Sequence, residues 1–287
     1  MKRAALSLAL ALILAVPAAQ PLWPQANSIP SASPVNPGGQ NESEDQRGSQ
    51  LIKEMVAALG GEAWHNRQNM EESGRFAAFF QGQPNGSLVE FKLSRQFPGP
   101  NRPEALRLGF LTWRGMIMPG KKIDVVQIWR DNTGYEITYK GKTTLPKEQV
   151  EDFYRRRAHS IESVVNDWVK APGVMVLYEG TDMVERRMAD KITILSANND
   201  TVTLDLDANT HLPLRRSFQW RNTTFNDYDH DVEEYDDYHT VQGLPTPFAI
   251  TRYHNGEMTA QTFITSVQYN SGLSQDLFNP DIALKKK

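Results

Sequence analysis

The 287-residue chain contains no cysteine. That excludes a disulfide framework, a thiolate nucleophile, a thiolate metal site and a lipid-modified cysteine. Basic charge is not in excess either: 31 Lys and Arg stand against 34 Asp and Glu, a net charge of −3, which offers no footprint for nucleic acid. Two catalytic signatures, G-x-S-x-G and H-E-x-x-H, are missing, and nothing in the sequence implies a cofactor. The apolar run Ala4–Val16 falls short of the roughly 20 residues that span a bilayer.

What is present at the start reads as an address. Lys2 and Arg3 precede that apolar run, and Val16-Pro17-Ala18 supplies small residues for cleavage, with Ala19 a second choice. Residues 1–19 are read as a cleaved secretory signal peptide and the mature protein as periplasmic, with a retained membrane anchor as the alternative. Residues 20–48, rich in Pro, Ser, Asn and Gln, form an expected disordered leader. The folded domain is expected over residues 49–287. Ser49 suits an N-cap, and Leu51, Ile52, Met55, Val56 and Leu59 recur at helical spacing before Gly60-Gly61.

Beyond that helix the period becomes two. Val202, Leu204 and Leu206 alternate with Thr and Asp, and Leu214, Arg216, Phe218 and Trp220 alternate with Arg215, Ser217, Gln219 and Arg221. One side of each strand is then apolar and the other wet, as an antiparallel sheet permits. Turn signals recur at Asn85-Gly86, Asp131, Asn198, Asp207 and Asn255-Gly256. About ten strands in a meander are expected, interrupted by one long helix from Pro146 to Gly173 with Val150, Phe153, Ile161, Val164, Val165 and Trp168 on its apolar face. The predicted class is α+β: a curved antiparallel sheet, an incomplete barrel, covered by two helices.

Asp227–His239, DYDHDVEEYDDYH, is the most chemical stretch. Asp227, Asp229 and Asp231 match the first ligands of a calcium loop, but Val232 stands where glycine is needed and Tyr238 where the last carboxylate is needed. His230 and His239 are too far apart in sequence for a paired zinc clamp. The stretch is therefore read as a charged, solvated edge strand, packed through Val232, Tyr235, Tyr238 and Val241 with a bulge. Weak metal candidates remain at Asp227, Asp229 and Asp231. The histidines are read as surface residues, and Arg155–His159 as the wet face of the long helix.

Aromatic and methionine content is the stronger signal. Leu111 and Trp113 oppose Phe110, and Val126 and Ile128 oppose Val125 and Trp129, so these strands are apolar on both faces. Each must be covered twice, by core on one side and by helix or ligand on the other. Met116 and Met118 suit an adaptable apolar site.

The strands carrying NRPEALRLGF and VVQIWRDNTGYEITYKGKTTLPKEQV, and later VTLDLDANTHLPLRRSFQWR, VQGLPTPFAITRYHNGE and ITSVQYNSGL, resemble the LolA/LolB-like superfamily of periplasmic lipoprotein-sorting proteins. The resemblance implies a half-barrel with a helical lid over an apolar cavity that shelters lipid or lipoprotein acyl chains, with no chemistry of its own. It also implies that Arg102, before Pro103, latches the lid. The expected ligand-binding residues are Arg102, Phe110, Leu111, Trp113, Trp129, Phe218 and Trp220. The expected partners are lipid or acyl chains and, through the long helix, a membrane complex, for a monomer that binds no nucleic acid. A secreted metal-dependent enzyme using the carboxylates from Asp227 to Asp237, or an envelope scaffold, are the alternatives.

Overall fold

The computed structural model describes residues 41–86, 88–113 and 121–282, without the side chains of 41–44, 112–113 and 121–122. The signal peptide, most of the leader, Met116 and Met118 lie outside the described residues. Fourteen strands among those residues, against the ten expected, make one antiparallel sheet. The first seven are β1 (Asn69–Phe80), β2 (Gln83–Pro84), β3 (Val89–Gln96), β4 (Ala105–Trp113), β5 (Lys121–Arg130), β6 (Thr133–Thr138) and β7 (Gly141–Thr144). The rest are β8 (Met175–Val184), β9 (Arg187–Leu195), β10 (Thr201–Asp207), β11 (Pro213–Asn222), β12 (Asp227–Val241), β13 (Leu244–His254) and β14 (Glu257–Tyr269).

The strand order is β7-β6-β5-β4-β3-β1-β14-β13-β12-β11-β10-β9-β8, with β2 a stub on β1. Two meanders are thus fused where the first strand pairs with the last, from Met70 opposite Tyr269 to Ala78 opposite Ala260. The outer strands β7 and β8 do not pair with each other, so the sheet curls without closing. Five two-residue hairpin loops hold both residues at positive φ: Gln81-Gly82, Asp131-Asn132, Glu185-Arg186, Gln242-Gly243 and Asn255-Gly256. That geometry matches the twist of the flanking strands. Glu185 and Arg186 adopt it with no residue that favours it, which is how a hairpin escapes a reading based on Asn and Gly.

Helix α1 (Asn41–Leu59) begins at Asn41 rather than Ser49, so the folded part takes in the end of the expected leader. Arg47 then reaches Glu54 at 3.3 Å and Asp190 of β9 at 3.5 Å. Gly48 lies so close to β8 that a Cβ would stand 2.6 Å from the Val176 carbonyl oxygen. The helix therefore covers the edge strand, which protects it from pairing with another chain. Leu51, Met55 and Leu59 enter the main core with Ile192, Leu204 and Phe218. A short α2 (Glu62–His65) follows the glycine stop and buries Trp64.

The expected long helix is broken. α3 (Lys147–Ala158) ends at His159, and α4 (Ile161–Asn166) starts anew because the Ser160 hydroxyl accepts the Ser163 amide at 3.3 Å. A single 3-10 turn, Trp168–Lys170, finishes the segment. His159 is buried rather than wet: it stacks on Phe218 at 4.2 Å and meets Asp200 at 2.9 Å. The double covering expected of β5 is present. Val126 and Ile128 are fully buried on the convex side, where Arg130 donates to the carbonyl of Phe278 in a C-terminal 3-10 turn. Trp129 is buried on the opposite side.

Candidate ligand-binding site

Between the concave side of the sheet and the α3–α4 segment lies a cavity of about 520 Å³. β1 forms the middle of its floor, since β3 and β14 flank it. Strand alternation decides which side chains reach the hollow. From β3 and β4 come Phe91, Leu93, Leu106, Leu108 and Phe110; Phe76 comes from β1, Ile250 from β13 and Ile264 from β14. The aromatic end is organised by ring contacts, Phe76 to Phe110 at 5.7 Å and Trp129 stacked on Phe153 of α3 at 4.7 Å. That stack joins the sheet to its helical cover.

The other end is lined with charge. Arg95 of β3 contacts Glu104 at 2.9 Å and Glu162 of α4 at 3.2 Å; Arg157 of α3 contacts the same Glu104 at 2.9 Å; Arg67 lies 3.6 Å from Glu162. Burial works to raise the Glu162 carboxyl, but Arg95, Arg157 and Arg67 outweigh it and hold it well below the usual carboxylate range. A second cluster sits on β11–β13. Glu233 accepts from Arg252 at 2.6 Å and Tyr235 at 2.8 Å and pairs with Arg216 at 2.9 Å. Burial again opposes ionisation there and the two arginines prevail. Arg216 also donates to the His159 carbonyl at 3.1 Å, which ties the sheet to the break between α3 and α4.

Glu72 is different. It lies on the cavity floor and makes no side-chain hydrogen bond or ion pair among the described residues, whereas Glu162 and Glu233 are both paired. Burial pushes its carboxyl up to about 7, with Arg252 and Arg95 pulling against the rise. The side chain is only half-buried by surface area because it borders the hollow.

The expected site residues separate on this map. Phe110 and Trp129 line the cavity. Leu111 is absent from the lining, on the far side of the β4 alternation, and the side chain of Trp113 lies outside the described residues. Phe218 belongs to the filled core and Trp220 packs against it. Arg102 donates to the Phe97 carbonyl at 2.9 Å and so pins its own β3–β4 turn; Arg67, Arg95 and Arg157 reach Glu162 of α4. The lining arginines and Glu72 carried no spacing motif in the sequence. The one signal was the inward set of Arg216 beside Phe218 and Trp220.

Asp227–His239 is not an edge. β12 is hydrogen-bonded to β11 and β13 on its two sides, and its inward carboxylates are met by arginines and a histidine on those neighbours. Glu233 faces Arg216 and Arg252 across the ladder, and Asp231 meets His254 at 3.1 Å. Partners supplied by other strands are what let an acidic strand sit inside a sheet. The expected bulge is absent: β12 keeps an unbroken register against β11 and β13, although Asp237 has a φ of 52°. Asp227 caps the Tyr228 amide and Asp229 accepts from Asn222 and Asn255. Among the described residues no three metal-type side chains converge.

No protein-family model matches the sequence, and no curated protein does. Solved structures do. A DUF1329 family protein from Desulfovibrio piger is similar at a TM-score of 0.56 and 12% identity, over 82% of this chain and 97% of that one. A domain assigned to the outer membrane lipoprotein-sorting proteins of Vibrio parahaemolyticus is similar at 0.54 and 9%, over 83% and 98%. The fold is shared with these two structures. A LolA superfamily protein from Nitrosomonas europaea aligns at 0.46 and 8% identity over 83% and 98%. At such identities the fold is what is shared, and the ligand has to be argued from the cavity.

Proposed function

We propose that the protein is a non-catalytic periplasmic carrier or binder of apolar ligands, lipid or lipoprotein acyl chains among them. The observation that carries this reading is the hollow of about 520 Å³, walled by Phe76, Phe91, Phe110, Trp129 and Phe153, in a place where a folded protein ordinarily packs its own side chains. Its size falls in the range of ligand sites. Each methylene moved from water into it gains roughly 0.8 kcal/mol, about what the bilayer itself provides, so a tail can pass between the two at little net cost once the cover admits it. Along the hollow the cover meets the wall through the Trp129–Phe153 stack and ion pairs from Arg95 and Arg157, while Val164 and Val165 of α4 anchor it in the main core. The Vibrio protein with this fold is assigned to lipoprotein sorting, which supports the acyl-chain reading.

The test is mass spectrometry of gently purified protein. Co-purified phospholipid or acylated peptide, or uptake of lipid offered in vesicles, is expected. A protein that stays empty in both experiments overturns the reading.

A further inference from the structure

The cavity's charges are not equivalent. All six lining arginines, Arg67, Arg95, Arg156, Arg157, Arg216 and Arg252, have a carboxylate within ion-pair distance. The carboxylates of Glu162 and Glu233 are used up in the same pairs. These pairs balance the arginines' charge without using every donor: the Nε of Arg157 and that of Arg216 are buried without a hydrogen-bond partner. Among the lining carboxylates Glu72 alone has no partner among the described residues, and it faces the hollow. Half-buried at the border of the hollow, its carboxylate is open to a hydrogen-bond donor that enters the cavity.

The register places that acceptor at a border. Glu72 sits opposite Leu93, one step along the same face from Met70 opposite Arg95. In the other direction come Gly74 opposite Phe91 and then Phe76, with Phe110 beyond on β4. An alkyl chain lying in the aromatic end would therefore bring its polar end to Glu72.

Building on the carrier reading, we propose that Glu72 sets ligand specificity by accepting a hydrogen bond from an N–H or O–H on the ligand's polar end. The cavity then takes amphiphiles whose head carries a donor in preference to those with acceptors only.

The probes are decanamide and methyl decanoate, matched in acyl chain and differing in the donor. Calorimetric titration at pH 8, where the Glu72 carboxyl is largely ionised, gives the ratio of the two affinities in wild type and in Glu72→Leu. Without a polar partner the amide pays the larger desolvation cost and the ester should win. A bond to a charged acceptor should offset this, so the amide-to-ester ratio is expected to fall about tenfold or more in Glu72→Leu. The isosteric Glu72→Gln should lower it less, with ester binding kept. A ratio that stays within about twofold of wild type in both variants overturns the role of Glu72 and leaves the carrier intact. Failure of both probes to bind wild type overturns the cavity as a ligand site and this inference with it.

Discussion

Replacing Glu72 by glutamine keeps the shape of the side chain and removes its charge, which isolates the cost of burying an unpaired carboxyl. Its ordinary value of 4.5 is raised to about 7 in the folded protein. The folded chain therefore holds the proton through an interval in which the unfolded chain has released it, and stability falls as pH rises through that interval. The penalty is absent below about pH 4.5, grows up to about pH 7 and is constant above. At 1.36 kcal/mol per pH unit it amounts to roughly 3 kcal/mol. Glu72→Gln should thus be more stable than wild type at pH 8 by up to that amount, and should show no such gain at pH 4. For a chain of this size that is a rise in Tm of roughly 6–12 °C. Urea titrations at the two pH values measure it through the midpoint, with the slope unchanged. The difference between pH values is the decisive quantity, because an amide without partners has its own cost at both. Water standing in the hollow would hydrate the carboxylate and reduce the gain, so the experiment also gauges how dry the cavity is. An equal effect at pH 4 and pH 8 would refute the argument that this carboxyl is enclosed.

Other perturbations bear on the rest of the site. Glu162→Gln leaves Arg95 and Arg67 short of a partner, and a loss of about 3–5 kcal/mol is expected, with faster amide exchange in α3 and α4 as the local sign of a loosened cover. Phe110→Lys should abolish uptake of a fluorescent lipid while Leu111→Lys spares it, because only the first side chain reaches the hollow; equal effects would contradict the alternation of β4. Gly74→Val would set a Cβ about 2.3 Å from the Phe263 carbonyl oxygen, and a cost of at least 1–3 kcal/mol should appear in chemical denaturation as a weakened join between the two meanders. Glu162 and Glu233, held below their usual range by arginines, contribute stability above about pH 4.5 that is lost as pH falls further; in an acid titration of Arg216→Met, the Glu233 share of that loss should shrink, since Arg252 still holds the carboxylate.

Much of the scaffold was readable in the amino acids. The apolar spacing of Leu51, Met55 and Leu59 and the alternation of Val202, Leu204 and Leu206 state directly which side chains are buried, and all six are. The site was far less readable, because its character arises from pairing between strands distant in sequence. Arg216 and Arg252 become partners of Glu233 only when β11, β12 and β13 are laid side by side. Taken alone, the acidic run looks like a strand that must stay in water. Glu72 likewise has nothing in its neighbourhood of sequence to single it out; the absence that matters is an absence of partners in space. The break at Ser160 depends on one hydroxyl bond, and no change of periodicity announces it.

The pairing of the first strand with the last also has a consequence in time. Gln68 donates to the side chain of Asn270 across 202 positions of the chain, and contacts of that span form late and slowly. Each meander can assemble from near neighbours, yet the strand that carries Glu72 keeps a bare edge beside a greasy surface until the final hairpin docks. A nascent copy halted before β14 would be a trough split down its middle, prone to recruiting whatever strand or acyl tail drifts past. Docking of that last strand is thus what separates an aggregation hazard from a finished container.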